Sequence, residues 1–448
     1  MKIYCSGIGG IGLSAYASLQ RAAGNDVSGS DRSESALITD LRSQGITVVF
    51  DQSGASVPAD TDLFVYSEAI PADASERKRA KELGIKQQSY PEALGDLSEG
   101  YETVIAVCGT HGKSSTTGMA TRLLMHSGRE PTVVVGTKLK ELDPPSSAAS
   151  GLRGAGGRNW RKGRPKGTFL MEACEYRHSF HHYKPSIILL TNCDGDHFDF
   201  YGSIEEYRAS FVKFLQQLPK DGVVITHGGD PDCAAVAKAS GRTVIDADVY
   251  PFISLRTPGR HMQQNAQLVL ALADVLSVPA TQAHAAVGGY AGSWRRLELK
   301  GILPRAQDDK GVPVIDDYGH HPKEIRATLD AIIAEYLGKR IICVFQPHTH
   351  DRTLKMYDEF VGAFRGVDTV IIPNIYEARK DIETAKVDLE KFIKDIATKS
   401  GVRCIDGKSL KETEAMLRGD MVKPGDVIIC MGAGDITNLA TALVGPKI

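Results

Sequence analysis

The residues best able to do chemistry lie in GTHGKSS, positions 109–115, between an apolar strand-like run and a helical run. Backbone N–H groups of a tight glycine loop at a helix N-terminus face a phosphate chain. In such a loop Lys113 meets the β- and γ-phosphates, and the Ser114 hydroxyl ligates Mg²⁺. The loop is short, G-x-x-G-K-S, with Val107 where the longer pattern has its first glycine. A second glycine loop, GIGGIG at 7–12, matches the dinucleotide fingerprint, and Asp31 follows where a ribose-binding acid is expected. Physically that loop reports a pyrophosphate at a helix N-terminus, so NAD and a nucleotide-sugar both satisfy it. Glu172 and Glu175 in MEACEYRHSF, and Asp194, Asp196 and His197 in TNCDGDHFDFY, follow apolar runs of the same stretch. A carboxylate at a strand end beside a phosphate loop supplies a further Mg²⁺ ligand, and a histidine there suits a second divalent ion held by substrate oxygens. Further on, DDYGHHPKEI (316–325) and FQPHTHDRT (345–353) place four histidines at strand-to-helix turns. Such turns are ligand sites in parallel α/β folds, although HHP before a helix also serves as a cap. Arg352 is suited to a bidentate grip on a carboxylate.

These groups need a scaffold, and the chain supplies a repeated pattern: a β-branched run, a glycine-rich or polar turn, then an amphipathic helix. That alternation predicts parallel α/β units. It recurs in three blocks, consistent with the length of 448 residues, and places domains at 1–98, 99–298 and 299–448. The first opens with KIYC and the helix LSAYASLQRAAG; the second holds TVIAVC, TFLMEA and SIILLTN; the third holds VPVIDDY, RIICVFQP, DTVIIP, VRCID and DVIICMGAGD. Asp143–Lys166, rich in Pro, Ser, Gly, Arg and Lys, reads as a long mobile loop. Lys plus Arg number 53 against 55 Asp plus Glu, so no basic surplus exists for general nucleic-acid binding. The eight cysteines form no C-x-x-C pair and sit mostly in apolar runs, which predicts buried reduced thiols rather than zinc ligands or disulfides. No apolar run approaches membrane-spanning length and MKIYCSGIGG is not a signal peptide, so a soluble, cytoplasmic protein without membrane insertion is expected.

Taken in order, GIGGIGLS, GTHGKSSTT, EACEYRHSF, TNCDGDHFD, GRHMQQN, RRLELKG, DDYGHHPKEI, FQPHTHDRT and the terminal GAGD resemble the Mur ligase family over essentially the whole chain. The resemblance implies an α/β protein of three domains: a Rossmann-like N-terminal UDP-sugar domain, a P-loop-type central ATPase domain and a Rossmann-like C-terminal amino-acid domain. It implies an amide ligase using ATP and Mg²⁺, in which the lactyl carboxylate of UDP-N-acetylmuramate becomes an acyl phosphate that the amine of L-alanine attacks. Carried over by position, the UDP-sugar residues are Gly7, Gly9, Gly10, Gly12, Asp31 and Ser67. The ATP residues are Gly109, Thr110, His111, Gly112, Lys113, Ser114, Ser115 and Asn265. Ser114, Glu172 and His197 are the metal ligands, and Tyr318, His320, His348 and Arg352 line the amino-acid pocket. Lys113, Glu172, His197 and Arg352 are the expected catalytic groups. Three positions depart from family patterns: Met262 after His261, Thr349 where some alanine ligases carry Arg, and Phe211 where sister ligases carry a carbamylated lysine. The last fits the alanine-adding branch. Three other readings stay open here: a ligase adding a tripeptide to the same nucleotide-sugar, an NAD-dependent oxidoreductase using GIGGIG, and a nucleotide-gated binding protein.

Overall fold

The computed structural model describes residues 1–143, 157–198, 200–305, 308–377 and 385–445. It holds three sheets. The first contains β1 (Lys2–Ser6), β2 (Asp26–Ser30), β3 (Thr47–Val49), β4 (Leu63–Tyr66) and β5 (Lys86–Ser89), in the order β3-β2-β1-β4-β5, all parallel. Strand order reverses beside β1, so the crevice for a ligand lies at the carboxyl ends of β1 and β4. The second contains β6 (Thr103–Cys108), β7 (Thr132–Leu139), β8 (Arg158–Arg161), β9 (Thr168–Glu172), β10 (Ile187–Leu190), β11 (Val223–Thr226) and β12 (Thr243–Asp246). Its order is β12-β11-β10-β6-β9-β7-β8, which sets β6 in the middle, between β9 and β10. Both neighbours run parallel to β6, so Val107 pairs with Glu172 on one side and Leu189 on the other.

The third sheet contains β13 (Glu298–Arg305), β14 (Asp308–Asp317), β15 (Ile341–Phe345), β16 (Thr369–Ile372), β17 (Arg403–Asp406) and β18 (Val427–Met431), ordered β13-β14-β18-β15-β16-β17. Only the edge strand β13 is antiparallel within it. Its central strands are apolar on both faces because helices cover both. Cys343 and Phe345 enter one buried cluster, while Ile342 and Val344 enter the other.

The chain divides into two compact units, residues 1–254 with 264–290, and residues 255–263 with 291–448. The first two sheets therefore belong to one unit. A single buried apolar cluster runs through both, joining Ile3, Leu13 and Tyr16 to Val134, Trp160, Phe169 and Phe211. The helix Ile11–Ala22 packs on β7 and β8.

Part of Asp143–Lys166 corrects the expectation of a mobile loop: Arg158–Arg161 forms β8, antiparallel to β7. The cause is burial of two residues. Asn159 donates its Nδ2 to the Ile11 carbonyl and to Ser14 Oγ, 3.2 Å away in the latter case, and Trp160 fills the common core. Residues 144–156 lie outside the described residues. All eight cysteines are free; Cys174 departs from expectation in being exposed and Cys404 is half-buried. No helix among the described residues is long and apolar enough to cross a membrane.

Candidate active site

The loop Gly109–Gly112 leaves the end of β6 and opens the helix Lys113–His126, as the glycines require. Gly109 has φ +136°, and a Cβ there would lie 2.0 Å from Thr191 Oγ1; Gly112 has φ +80° and would strike the Asn265 amide at 2.7 Å. Both glycines are thus fixed by positive φ and by the close approach of a neighbour. The loop is held from β10: Thr110 N donates to the Asn192 carbonyl (3.1 Å) and His111 N donates to Asn192 Oδ1 (2.9 Å). Ser114 and Ser115, in the first turn of the helix, are buried. The close approach to Gly112 places Asn265 against the loop.

Opposite the helix start, Glu172 ends β9. Ser114 Oγ donates to its Oε1 at 3.2 Å, and the backbone N–H of Gly136 donates to its Oε2 at 2.9 Å. The hydroxyl and half-buried carboxylate together form a hard oxygen pair of the kind Mg²⁺ takes. Among the described residues no three His, Cys, Asp or Glu side chains form a group able to hold a metal alone. An ion on Ser114 and Glu172 would complete its shell from phosphate oxygens and water, as Mg²⁺ does at phosphate sites.

His197 has φ +57°, with its Nε2 3.9 Å from Glu175 Oε1 and its ring 4.6 Å from that of Tyr176. Glu175 is fully buried and takes Lys113 Nζ at 3.0 Å. Burial works against the Lys113 charge, but Glu175 and Glu172 hold its pKa above the ordinary lysine value. Phe211 lies wholly buried, 5.1 Å from the Phe180 ring and 5.0 Å from that of Tyr207, so this position carries packing and no metal ligand.

The first glycine loop gathers its expected partners. A Cβ on Gly7 would come 3.0 Å from that of Ser67, at the end of β4, and Gly9 N donates to Asp31 Oδ2 at 2.7 Å. Gly12 faces the Tyr90 ring and Gly10 N bonds back to the Gly7 carbonyl (3.2 Å), closing the turn before the helix Ile11–Ala22.

In the third sheet the aromatic groups form a row. The Tyr318 and His320 rings are 5.2 Å apart, His320 and His348 5.8 Å, and His348 stacks on Tyr376 at 5.5 Å. His321 is instead the cap of the helix Pro322–Glu335, in a reciprocal box with Glu324, which decides between cap and ligand for that residue. Thr349, at φ +66°, accepts from the Arg352 N–H and starts the short helix His350–Lys355, so Arg352 is set one turn after His348. Next to Tyr318 in the chain, burial pushes the Asp317 carboxyl up to about 6, opposed by Arg296 and by the N–H groups of Leu297 and Gly319.

Four contributors escaped the sequence reading. Asn192 and Thr191 pin the loop Gly109–Gly112, and their signal was the polar Thr-Asn pair ending an apolar strand. Tyr207 bonds both Thr110 Oγ1 (2.8 Å) and Glu175 Oε1 (3.1 Å) from the helix Ile204–Leu215, with no local signal. Tyr376 reaches His348 through a parallel bridge between residues far apart in sequence.

Family models described as the Mur ligase catalytic domain, the Mur ligase middle domain and the Mur ligase glutamate ligase domain match residues 2–102, 107–251 and 295–434. The chain is 33% identical to a UDP-N-acetylmuramate–L-alanine ligase of Clostridium novyi, covering 100% of this chain and 98% of that protein. It is 34% identical to the enzyme of the same name from Lachnospira eligens, covering 99% and 98%. The crystal structure of a UDP-N-acetylmuramate-alanine ligase from Thermotoga maritima superposes with a TM-score of 0.79 at 27% identity, over 99% of this chain and 98% of that one. A murein peptide ligase from Psychrobacter arcticus shares the fold, with a TM-score of 0.71 at 22% identity over the full length of both chains. With three domain models in register and curated relatives matched end to end, the chain belongs to the Mur ligase family.

Proposed function

We propose that this chain is an ATP-dependent amide ligase that joins L-alanine to the lactyl carboxylate of UDP-N-acetylmuramate through an acyl phosphate, in the making of peptidoglycan precursors. The observation that carries the reading is that Lys113 and Ser114 open one helix at the second sheet, with Glu172 on the serine hydroxyl and Glu175 on the lysine. The names of the full-length relatives support the substrates, and they favour neither the tripeptide ligase nor the oxidoreductase reading. The domains run 1–98, 99–298 and 299–448, and the protein works in the cytoplasm. Gly7, Gly9, Gly10, Gly12, Asp31 and Ser67 take the UDP-sugar; Gly109–Ser115 and Asn265 take ATP; Tyr318, His320, His348 and Arg352 take the amino acid.

The first step brings a carboxylate toward a polyphosphate, so its barrier is largely electrostatic. Two unit charges about 4 Å apart repel by ~4 kcal/mol at an effective dielectric of 20. Lys113 offsets that repulsion at the transferring phosphoryl, and the backbone N–H groups of the loop fix the phosphate chain. Ser114 and Glu172 would hold Mg²⁺, which supplies charge neutralisation on the phosphate oxygens, and His197 would hold a second ion. Burial of Ser114, Ser115 and Glu175 keeps bulk water from part of the loop, and this matters because hydrolysis of an acyl phosphate competes with the amine.

The decisive experiment is phosphate release from ATP with UDP-N-acetylmuramate and, in turn, alanine, glycine, serine and the tripeptide. Release that requires the nucleotide-sugar and is fastest with alanine is expected. Lys113→Ala should lower it by at least about 10³-fold with UDP-sugar affinity unchanged. Full activity in that variant removes the loop from the mechanism.

A further inference from the structure

Lys113 is engaged by groups of the protein itself. Its Nζ donates to the carbonyls of Gly109 and Thr110 and to both oxygens of Glu175, at 3.3 and 3.0 Å. The carboxylate is fully buried, while the lysine side chain keeps 14% of its surface exposed. Tyr207 OH donates to Glu175 Oε1 at 3.1 Å and lies 2.8 Å from Thr110 Oγ1. The four groups close a circuit: Lys113 to the Thr110 carbonyl, the Thr110 hydroxyl to Tyr207, Tyr207 to Glu175, and Glu175 back to Lys113. Glu175 is also anchored through its main chain, where its carbonyl accepts from Tyr201 OH and from His178 N. A carboxylate so fixed does not travel with a ligand. The lysine, on a flexible stem with an opening to solvent, does.

We propose that Glu175 is a positioning residue that folds Lys113 onto its own loop, so that nucleotide binding must transfer the ammonium from this carboxylate to a phosphate. The inference rests on Lys113 being the phosphate ligand. Glu175 differs in kind from Glu172, three residues earlier, which is half-buried at the strand end and bonded to the Ser114 hydroxyl. Glu172 takes the Ser114 hydroxyl, whereas Glu175 takes the lysine and lies 3.9 Å from His197 Nε2. A buried ion pair of this sort is costly to break, and part of the binding energy of the nucleotide is consumed in breaking it. The benefit is selectivity: a lone anion too weak to compete with Glu175 does not draw Lys113 out.

The test measures affinity for the β,γ-methylene analogue of ATP with Mg²⁺ by calorimetry, in the wild type, Glu175→Gln, Lys113→Met and the double variant. Glu175→Gln keeps an acceptor for Tyr207 and removes the competing charge, so binding should tighten by about three- to tenfold. Affinity for UDP should not move. The tightening should vanish in the Lys113→Met background, a coupling that a merely structural role does not produce. Glu175→Asp, which withdraws the charge by one methylene, should tighten binding by a smaller factor, and it serves if the Gln variant fails to fold. Lys113→Met weakening the analogue while neither Glu175 variant tightens it overturns this inference alone. Lys113→Met leaving the analogue untouched overturns the phosphate-loop reading beneath it.

Discussion

Arg352, which we propose takes the amino acid, sits in the short helix His350–Lys355. It lies one turn after His348, on a helix opened by Thr349, and the His348 ring neighbours that of His320, which in turn neighbours that of Tyr318. Arg352→Ala is expected to raise the KM for the amino acid by about 10- to 100-fold, the loss of one charge-assisted contact, with the KM for ATP moving less than threefold. Initial-rate kinetics with each substrate varied separately check this, and a shift confined to ATP would move Arg352 out of the amino-acid pocket. At this scale the sequence showed residue types well and roles less well. Glu172 and Glu175 read alike as carboxylates after a strand. Their difference arises because β9 stops at Glu172 and the chain turns into the short helical segment Tyr176–His182, sending the second carboxylate inward. A period-of-two pattern gives no warning of such a turn.

Among elements, the loop between β6 and its helix depends on backbone conformation as much as on side chains. Gly109→Ala should destabilise the first unit by about 2–4 kcal/mol and remove binding of the ATP analogue, because it adds strain at φ +136° and a clash with Thr191. Gly24→Ala is the control: φ is +93° and nothing lies within 4 Å, so about 1 kcal/mol of strain is all it should cost. Urea midpoints of the two variants separate clash from strain; equal losses would mean that Thr191 moves aside freely. Parallel interior strands were legible because burial on both faces demands unbroken apolar runs, as in TVIAVC and SIILLTN. Edge strands such as β5, KQQS, and β8, RNWR, were not, since one flank needs no apolar partner and their sequences read as loop.

Across the molecule, stability depends on pH through groups whose charge the fold opposes. In the second unit His261 is pushed down to about 4 by burial and by Arg296, against the pull of Glu324. Its pKa is depressed below the unfolded 6.5, so the unfolded chain binds the extra proton between those values and stability falls as pH drops from 6.5 to about 4. Asp317 acts in the opposite sense: its pKa is raised from 3.8 to about 6, so stability falls as pH rises through that window. The two partly cancel between pH 4 and 6. His261→Gln removes one of them, and by pH 4.5 it should recover roughly 2–3 kcal/mol relative to the wild type, measured from pH 7. Fluorescence of Trp294 in a Trp160→Phe background follows the second unit; an unchanged pH slope would mean that His261 protonates freely in the folded state.

The common core of the first two sheets has a consequence for protein engineering and for descent. Asn159 grips the start of the helix Ile11–Ala22, and Tyr16 and Trp160 share one apolar interior, so a cut at residue 98 leaves each fragment with a bare greasy flank. Chimeras that exchange the N-terminal sheet alone should aggregate, whereas grafts carrying both sheets together should stay monodisperse. Descent is therefore expected to change the first sheet residue by residue, in place, rather than by exchange of the whole sheet.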